Sequence, residues 1–93
     1  MRRAARVDSN HAQIMRALRR AGWAVHDTSR LGGGFPDLVA GRDGRVVLIE
    51  VKDGAKPPSA KRLTPAEFLC ARKFAEVGVV VEVLESELDA EAL

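Results

Sequence analysis

Three charged residues stand where a carboxylate pair could hold a metal ion. Asp37 follows Pro36 at the start of one short apolar segment, whereas Glu50 and Lys52 end the longest one. Side chains two residues apart on a strand project from the same face, so Glu50 and Lys52 share a face and Val51 points into the core on the other. The residue types and their spacing therefore indicate chemistry at the end of a sheet.

A tight turn brings the two segments together. Asp43-Gly44 is a strong signal for a two-residue hairpin. In a regular hairpin about this dipeptide, Asp37 lies opposite Glu50. The register thus predicts one cluster of two carboxylates, with the Lys52 ammonium beside it.

Carboxylates that lie close together repel each other, and a divalent cation between them relieves the repulsion. Hard oxygen ligands suit Mg²⁺ or Mn²⁺, with Asp37, Glu50 and the backbone carbonyl of Val51 as predicted ligands. A lysine at position 52 could orient or deprotonate a bound water, or stabilise charge on a phosphate. The predicted catalytic residues are Asp37, Glu50 and Lys52, and the chemistry is phosphodiester hydrolysis.

Simpler interpretations exist for each residue alone. Asp37 after a proline is typical of a turn, and Glu50 and Lys52 could form a surface ion pair. Unpaired charge is nevertheless costly on a strand as apolar as the one that precedes Glu50. Pro36-Asp37 together with Glu50-Val51-Lys52 is a more specific indication of a metal site than any of these residues alone.

Two loops offer groups for binding a phosphate backbone. Gly32, Gly33 and Gly34 would let the main chain approach a phosphate closely. The basic loop 53–63 could neutralise neighbouring phosphates. The predicted DNA-binding residues are Gly33, Gly34, Lys56, Lys61 and Arg62.

The elements that must position these residues follow from periodicity and capping. A first helix is expected after Ser9 or Asn10 and ends at Gly22. Three strands follow, and then Thr64-Pro65-Ala66-Glu67 opens a second helix with a capping box. The apolar segment 79–84 is a further strand, and Ser86 caps a short acidic helix. The order predicts an α/β fold, a mixed sheet flanked by helices.

Bulk properties narrow the class further. A chain of 93 residues is expected to form one domain, residues 1–93, with residues 1–8 as a flexible basic arm. The net charge is only +2, but residues 1–30 hold seven arginines and residues 76–93 hold six acids and no Lys or Arg. One basic face and a nucleic-acid partner are consistent with this asymmetry. Cys70 is the single cysteine; it is expected to be a small buried side chain within a helix, in a reducing intracellular setting. Trp23 is expected in the core or an interface, and His11 is expected as a surface or cap residue.

These residues resemble a known family. Pro36-Asp37 and Glu50-Val51-Lys52 are similar to the PD-(D/E)XK nuclease signature. The stretches GGGFPDL, LIEVKDG and LTPAE together resemble the VRR-NUC domain, in its small stand-alone phage and prophage type. The resemblance implies a restriction-endonuclease-like αβββαβ core and Mg²⁺- or Mn²⁺-dependent DNA cleavage. It also implies a similarity to Holliday-junction resolvases and a homodimeric enzyme. The expected location is the cytoplasm of a bacterial host or phage-infected cell.

The resemblance implies site residues and also shows two departures. It assigns Asp37 and Glu50 to metal, and it places Ser29 and Gly33 in a loop that borders the site. Glu67 stands where the family usually has Gln, and it could recruit a second metal or simply close the capping box. Ser29 and Glu67 are therefore accessory candidates. The first helix lacks the acidic metal ligand of related nucleases.

The function that these features predict is a structure-selective, metal-dependent DNA endonuclease. Its partners are branched or duplex DNA and a second copy of the chain, because two symmetric cuts suit a two-fold dimer. The alternative is a non-catalytic nucleic-acid-binding or assembly protein that retains the nuclease fold. A nuclease directed at RNA is a third interpretation, less favoured because few aromatic residues are present to stack bases.

Overall fold

The computed structural model describes residues 8–93, which form a mixed sheet flanked by helices. The elements in chain order are α1 (His11–Arg20), β1 (Ala24–Asp27), β2 (Leu38–Arg42), β3 (Arg45–Val51), the 3₁₀ turn Pro58–Ala60, α2 (Pro65–Ala75), β4 (Val81–Leu84) and α3 (Glu87–Ala92). This order confirms the predicted α/β class, which is compatible with a restriction-endonuclease-like core. The predicted basic arm lies outside the described residues, apart from Asp8.

The four strands lie in the order β1-β2-β3-β4. The first three are antiparallel neighbours, whereas β4 runs parallel to β3 after the crossover through α2. A parallel pair requires such a crossover, because a tight turn can join only antiparallel strands. β3 is therefore an interior strand, as its apolar sequence predicts.

The β2–β3 hairpin has the predicted register. Arg42 pairs with Arg45 next to the turn, and Leu38 pairs with Ile49 at the far end. Asp43 and Gly44 have φ values of 52° and 75°, the left-handed backbone that a two-residue hairpin of this type requires. Asp-Gly meets this requirement at little cost, and it fixes which residues meet at the opposite end of the hairpin.

The core lies between α1, α3 and one face of the sheet. It is built from apolar side chains at helical spacing on α1 and at alternate positions on the strands. Its residues are Ile14, Ala17, Leu18, Trp23, Leu38, Ala40, Val47, Ile49, Val51, Leu84 and Ala90. Trp23 belongs to the core, as expected, and the guanidinium groups of Arg42 and Arg45 stack over its ring.

The opposite face of the sheet is covered less completely. α2 contacts β4 but contains no buried residue. Phe68 and Leu69 of this helix are 55% and 61% exposed. Cys70 is only half-buried, so the expectation of a buried cysteine is wrong. Within residues 8–93, every helix is too short or too polar to cross a membrane.

The start of α1 differs from the sequence prediction. The Asn10 side chain makes no capping bond to the helix. Its amide instead donates to the carbonyl oxygens of Lys52 at 3.1 Å and Glu85 at 2.9 Å. His11, expected as a surface or cap residue, is buried because it lies on the core side of α1 and contacts Asp27. α1 is therefore tied to the ends of β3 and β4, next to the predicted site.

Candidate active site

Asp37 and Glu50 lie one step beyond the last β2–β3 pair, at the end of the sheet away from the turn. The Asp37 carboxylate accepts a hydrogen bond from the Val51 N–H at 2.8 Å. This bond fixes the Asp37 side chain against β3. The backbone around Asp37 is also held, because its carbonyl accepts from the Thr28 N–H at 2.8 Å.

Glu50 is a buried carboxyl group at 3% exposure. Burial raises the pKa of Glu50 to about 10, helped by a hydrogen bond with Glu67 and by the nearby charge of Asp37. A carboxyl group in such surroundings holds its proton unless a positive charge replaces it. The environment is thus one that a cation would stabilise.

Lys52 is also buried, at 8% exposure, on the same face as Glu50. Its ammonium Nζ lies 2.8 Å from Oε1 of Glu67 and 3.8 Å from Oε2 of Glu50. Burial would lower the pKa of Lys52, but the hydrogen bond with Glu67 and the charge of Glu67 outweigh it and raise the pKa. Lys52 is therefore an ammonium group within a pair of carboxyl groups.

Glu67 serves two elements at once. Its Oε1 accepts from the Thr64 N–H at 2.8 Å, and the Thr64 hydroxyl accepts from the Glu67 N–H at 3.2 Å. These bonds form the predicted capping box of α2. Burial would raise the pKa of Glu67, but the bonds from Lys52 and Thr64 help to lower it.

The glycine loop meets α2 at one residue. Gly34 has a φ of 79°, and a β-carbon at this position would overlap the backbone of Ala66. Gly34 thus allows the loop to contact the first turn of α2, whereas a β-carbon on Gly33 would meet no atom within 4 Å. The contact with α2 explains why position 34 requires a glycine. Contact of Gly33 or Gly34 with DNA stays a prediction.

Ser29 borders the site without reaching its carboxylates in the described contacts. Its backbone N–H and its hydroxyl both donate to Oδ1 of Asp27, at 2.9 and 2.6 Å. The other Asp27 oxygen lies 3.3 Å from Nε2 of His11. Burial would raise the pKa of Asp27, but these partners lower it. An accessory role of Ser29 stays a prediction.

The loop cations differ in their partners. Lys56 contacts Asp8 at 3.3 Å and Lys61 contacts Glu85 at 3.2 Å, whereas Arg62 is exposed. Exposed pairs of this kind are weak and exchange readily with other anions. The three residues lie on the loop that follows β3, so the predicted phosphate contacts would fall beside Lys52.

The donor set of the site fits a hard divalent cation. Asp37 and Glu50 lie close together, and the buried Glu50 carboxyl group is surrounded by the acidic Asp37 and Glu67. Among residues 8–93, no group of three or more His, Cys, Asp or Glu side chains is arranged to hold a metal ion. Any ion held by Asp37 and Glu50 would therefore complete its coordination with backbone and water oxygens, as Mg²⁺ commonly does.

A carboxylate pair beside a lysine, at the open end of a hairpin in a mixed sheet, is consistent with a nuclease of the PD-(D/E)XK type. The family model of the archaeal Holliday junction resolvase (hjc) matches residues 3–82, and the chain therefore belongs to this family. It is a resolvase nuclease, an enzyme that selects DNA by its branched structure. No curated protein and no solved structure was found to match the chain.

Sequence reasoning did not identify the contact between Lys52 and Glu67. The capping box indicates Glu67 as a helix residue, and fifteen positions separate it from Lys52. Predicting this contact would require knowing that α2 packs over the face of β3 that carries Lys52. That placement depends on tertiary packing and leaves no local pattern in the sequence. The burial of His11 was missed as well, although its helical spacing from Ile14 and Leu18 indicates the core side.

Proposed function

We propose that the chain hydrolyses phosphodiester bonds of branched DNA at the cluster of Asp37, Glu50 and Lys52, with Mg²⁺ or Mn²⁺ as cofactor. The observation that carries the proposal is the burial of Glu50 and Lys52 beside Asp37. Three ionisable groups in one buried cluster cost folding stability, so a functional reason is expected for them. Membership of a resolvase family supports the same assignment.

The residues would divide the work as follows. Asp37 and Glu50 would hold the ion, together with the Val51 carbonyl. When bound, the ion would supply Lewis acidity toward the phosphate and lower the pKa of a bound water. Lys52 would donate hydrogen bonds to the attacking water or to the phosphate oxygens, where negative charge develops. Lys56, Lys61, Arg62 and the glycines at 33 and 34 would bind the flanking backbone.

The proposed enzyme is a homodimer whose contact surface is the α2–β4 face. A groove of about 360 Å³ on this face is lined by apolar side chains together with Arg72. Its apolar lining residues are Leu63, Phe68, Ala71, Ala75, Val80 and Val81. β4 lies at the edge of the sheet beside this groove. An apolar face next to an open strand edge is a typical site of association, and a second copy would give two active sites for the two strands of a junction.

The narrower VRR-NUC type, a phage or prophage origin and a cytoplasmic location remain predictions from the sequence. The non-catalytic alternative is less well supported, because none of the three predicted catalytic residues is missing and two of them are buried. It predicts binding of branched DNA without cleavage.

The test is cleavage of four-way junctions, linear duplexes and single strands in Mg²⁺, Mn²⁺ or EDTA. We expect cleavage of the junction with either metal and none in EDTA. The Asp37→Ala and Lys52→Ala variants should lose at least ~100-fold in rate. Equal activity in either variant, or cleavage that persists in EDTA, would overturn the proposal.

A further inference from the structure

The Lys52 ammonium lies near two carboxyl groups, and it hydrogen-bonds with only one of them. Nζ lies 2.8 Å from Glu67 but 3.8 Å from Glu50. A shift of Lys52 by about 1 Å would bring it into hydrogen-bond range of Glu50. Lys52 would then occupy the carboxylate that is proposed to hold metal.

Glu67 is held too firmly to follow such a shift. The oxygen that accepts from Lys52 is the same Oε1 that accepts from the Thr64 N–H. The capping box therefore fixes the Glu67 side chain to the first turn of α2. The first turn of α2 also contacts the backbone of the glycine loop at Gly34, where there is no space for a β-carbon. Loop, helix and carboxylate thus form one rigid support for Lys52.

We infer that Glu67 is a positioning residue, which holds the Lys52 ammonium at a fixed point beside the proposed metal ligands and just outside hydrogen-bond range of Glu50. The role requires a hydrogen-bond acceptor at the end of the side chain and does not require its charge. It rests on the proposed function, since it states how the proposed catalytic lysine is oriented. The competing role, a ligand to a second metal ion, would require the carboxylate itself.

Three variants separate these roles. Glu67→Gln keeps an oxygen acceptor and removes the charge, whereas Glu67→Ala removes both. Thr64→Ala is the matched control, because it breaks the other half of the capping box and leaves the Glu67–Lys52 contact intact. Its expected loss of stability is similar to that from losing the cap at position 67.

The first measurement is junction cleavage in Mg²⁺, with kcat and KM determined separately. We expect Glu67→Ala to lose about 10–100-fold in kcat with KM unchanged, as for partners that orient a functional group. Glu67→Gln should stay within about 3-fold of wild type, and Thr64→Ala should match wild type. A Glu67→Ala variant as fast as Thr64→Ala would overturn the inference, and so would a Glu67→Gln variant as slow as Glu67→Ala.

The second measurement does not depend on cleavage. Lysine-selective ¹⁵N NMR in EDTA should show an ammonium signal of Lys52 protected from solvent exchange in wild type and Glu67→Gln. The signal should disappear in Glu67→Ala. Its persistence there would overturn the inference even if the kinetics agreed. If the wild type cleaves no DNA, the proposed function fails, and the NMR result still decides whether Glu67 positions Lys52.

Discussion

At the scale of one residue, the buried Glu50 carboxyl group lowers the stability of the folded protein. Its raised pKa of about 10 means that the folded, metal-free protein keeps a proton at neutral pH that the unfolded chain would release. Between about pH 4.5 and pH 10 the folded state therefore binds more protons than the unfolded state. The contribution of Glu50 to the free energy of unfolding accordingly falls as pH rises through this window.

Replacing Glu50 with glutamine should remove this dependence. We expect the free energy of unfolding of Glu50→Gln near neutral pH in EDTA to exceed that of wild type by on the order of 1 kcal/mol, so that the variant unfolds at a higher temperature. The pH slope should flatten, and cleavage should be lost. Thermal unfolding from about pH 5 to pH 9 checks this, with the exposed Glu91→Gln as control. A Glu50→Gln variant that keeps the wild-type slope would contradict the assignment.

The residues of the site were predictable to different degrees. Asp37 and Glu50 could be placed together because a two-residue turn dictates register. Lys52 followed from the alternation of side chains on a strand. Glu67 could be recognised as a cap but not as a partner of Lys52, because no local rule states which face of a sheet a crossover helix covers. His11 was misjudged because its polar character outweighed its position on the apolar side of α1.

At the scale of elements, the glycine loop is in close contact with the first turn of α2. Gly34 has the positive φ that glycine favours, and it also lacks the space for a β-carbon. Gly44 in the hairpin turn has a similar φ of 75°, but a β-carbon there would meet no atom within 4 Å. The two glycines thus share a left-handed backbone conformation, but only Gly34 is in close contact with another element.

Alanine substitutions should separate these two causes. We expect Gly34→Ala to destabilise the protein by about 1–3 kcal/mol more than Gly44→Ala, because the extra methyl group displaces α2. Urea-induced unfolding followed by circular dichroism measures the difference. Equal losses in the two variants would mean that the loop–helix contact adds nothing to stability.

The sequence predicted the elements well where local chemistry determines them. The Asp-Gly turn, the Thr-Pro-x-Glu start of α2 and the Ser86 cap of α3 are all present. The 3₁₀ turn at Pro58–Ala60 within the basic loop was missed, because a single turn leaves no periodic signal. The predicted Asn10 cap was wrong, because the side chain is held by its amide nitrogen, which donates to two carbonyls far away in the sequence, and its oxygen makes no bond to the helix.

On the scale of the whole molecule, the core lies on one side of the sheet and the proposed active site on the other. α2 shields the site but leaves an apolar face toward solvent, where Val80 is 68% exposed and Phe68 is 55% exposed. A monomer would keep this face in contact with water, which is unfavourable for so small a protein. Burial against a second copy would remove it.

A charge placed on this face should separate the copies without unfolding them. We expect Phe68→Glu to be monomeric at micromolar concentration, because Phe68 lines the groove and contributes little to the core. Leu88→Glu is the control, since Leu88 is 75% exposed on α3, outside this groove. Size-exclusion chromatography with light scattering distinguishes the two. A wild type that is monomeric, or a Phe68→Glu variant that stays dimeric, would contradict the proposed interface.

The central claim is that the Asp37 cluster performs the cleavage and is not merely a binding surface. Asp37→Asn is the sharpest probe, because the amide oxygen can still accept the Val51 N–H while the anionic ligand is lost. The measurement is the single-turnover rate of four-way junction cleavage in Mg²⁺, compared with junction affinity in EDTA. We predict wild-type affinity and a rate reduced by at least ~100-fold. A variant that binds and cleaves the junction like wild type would contradict the claim.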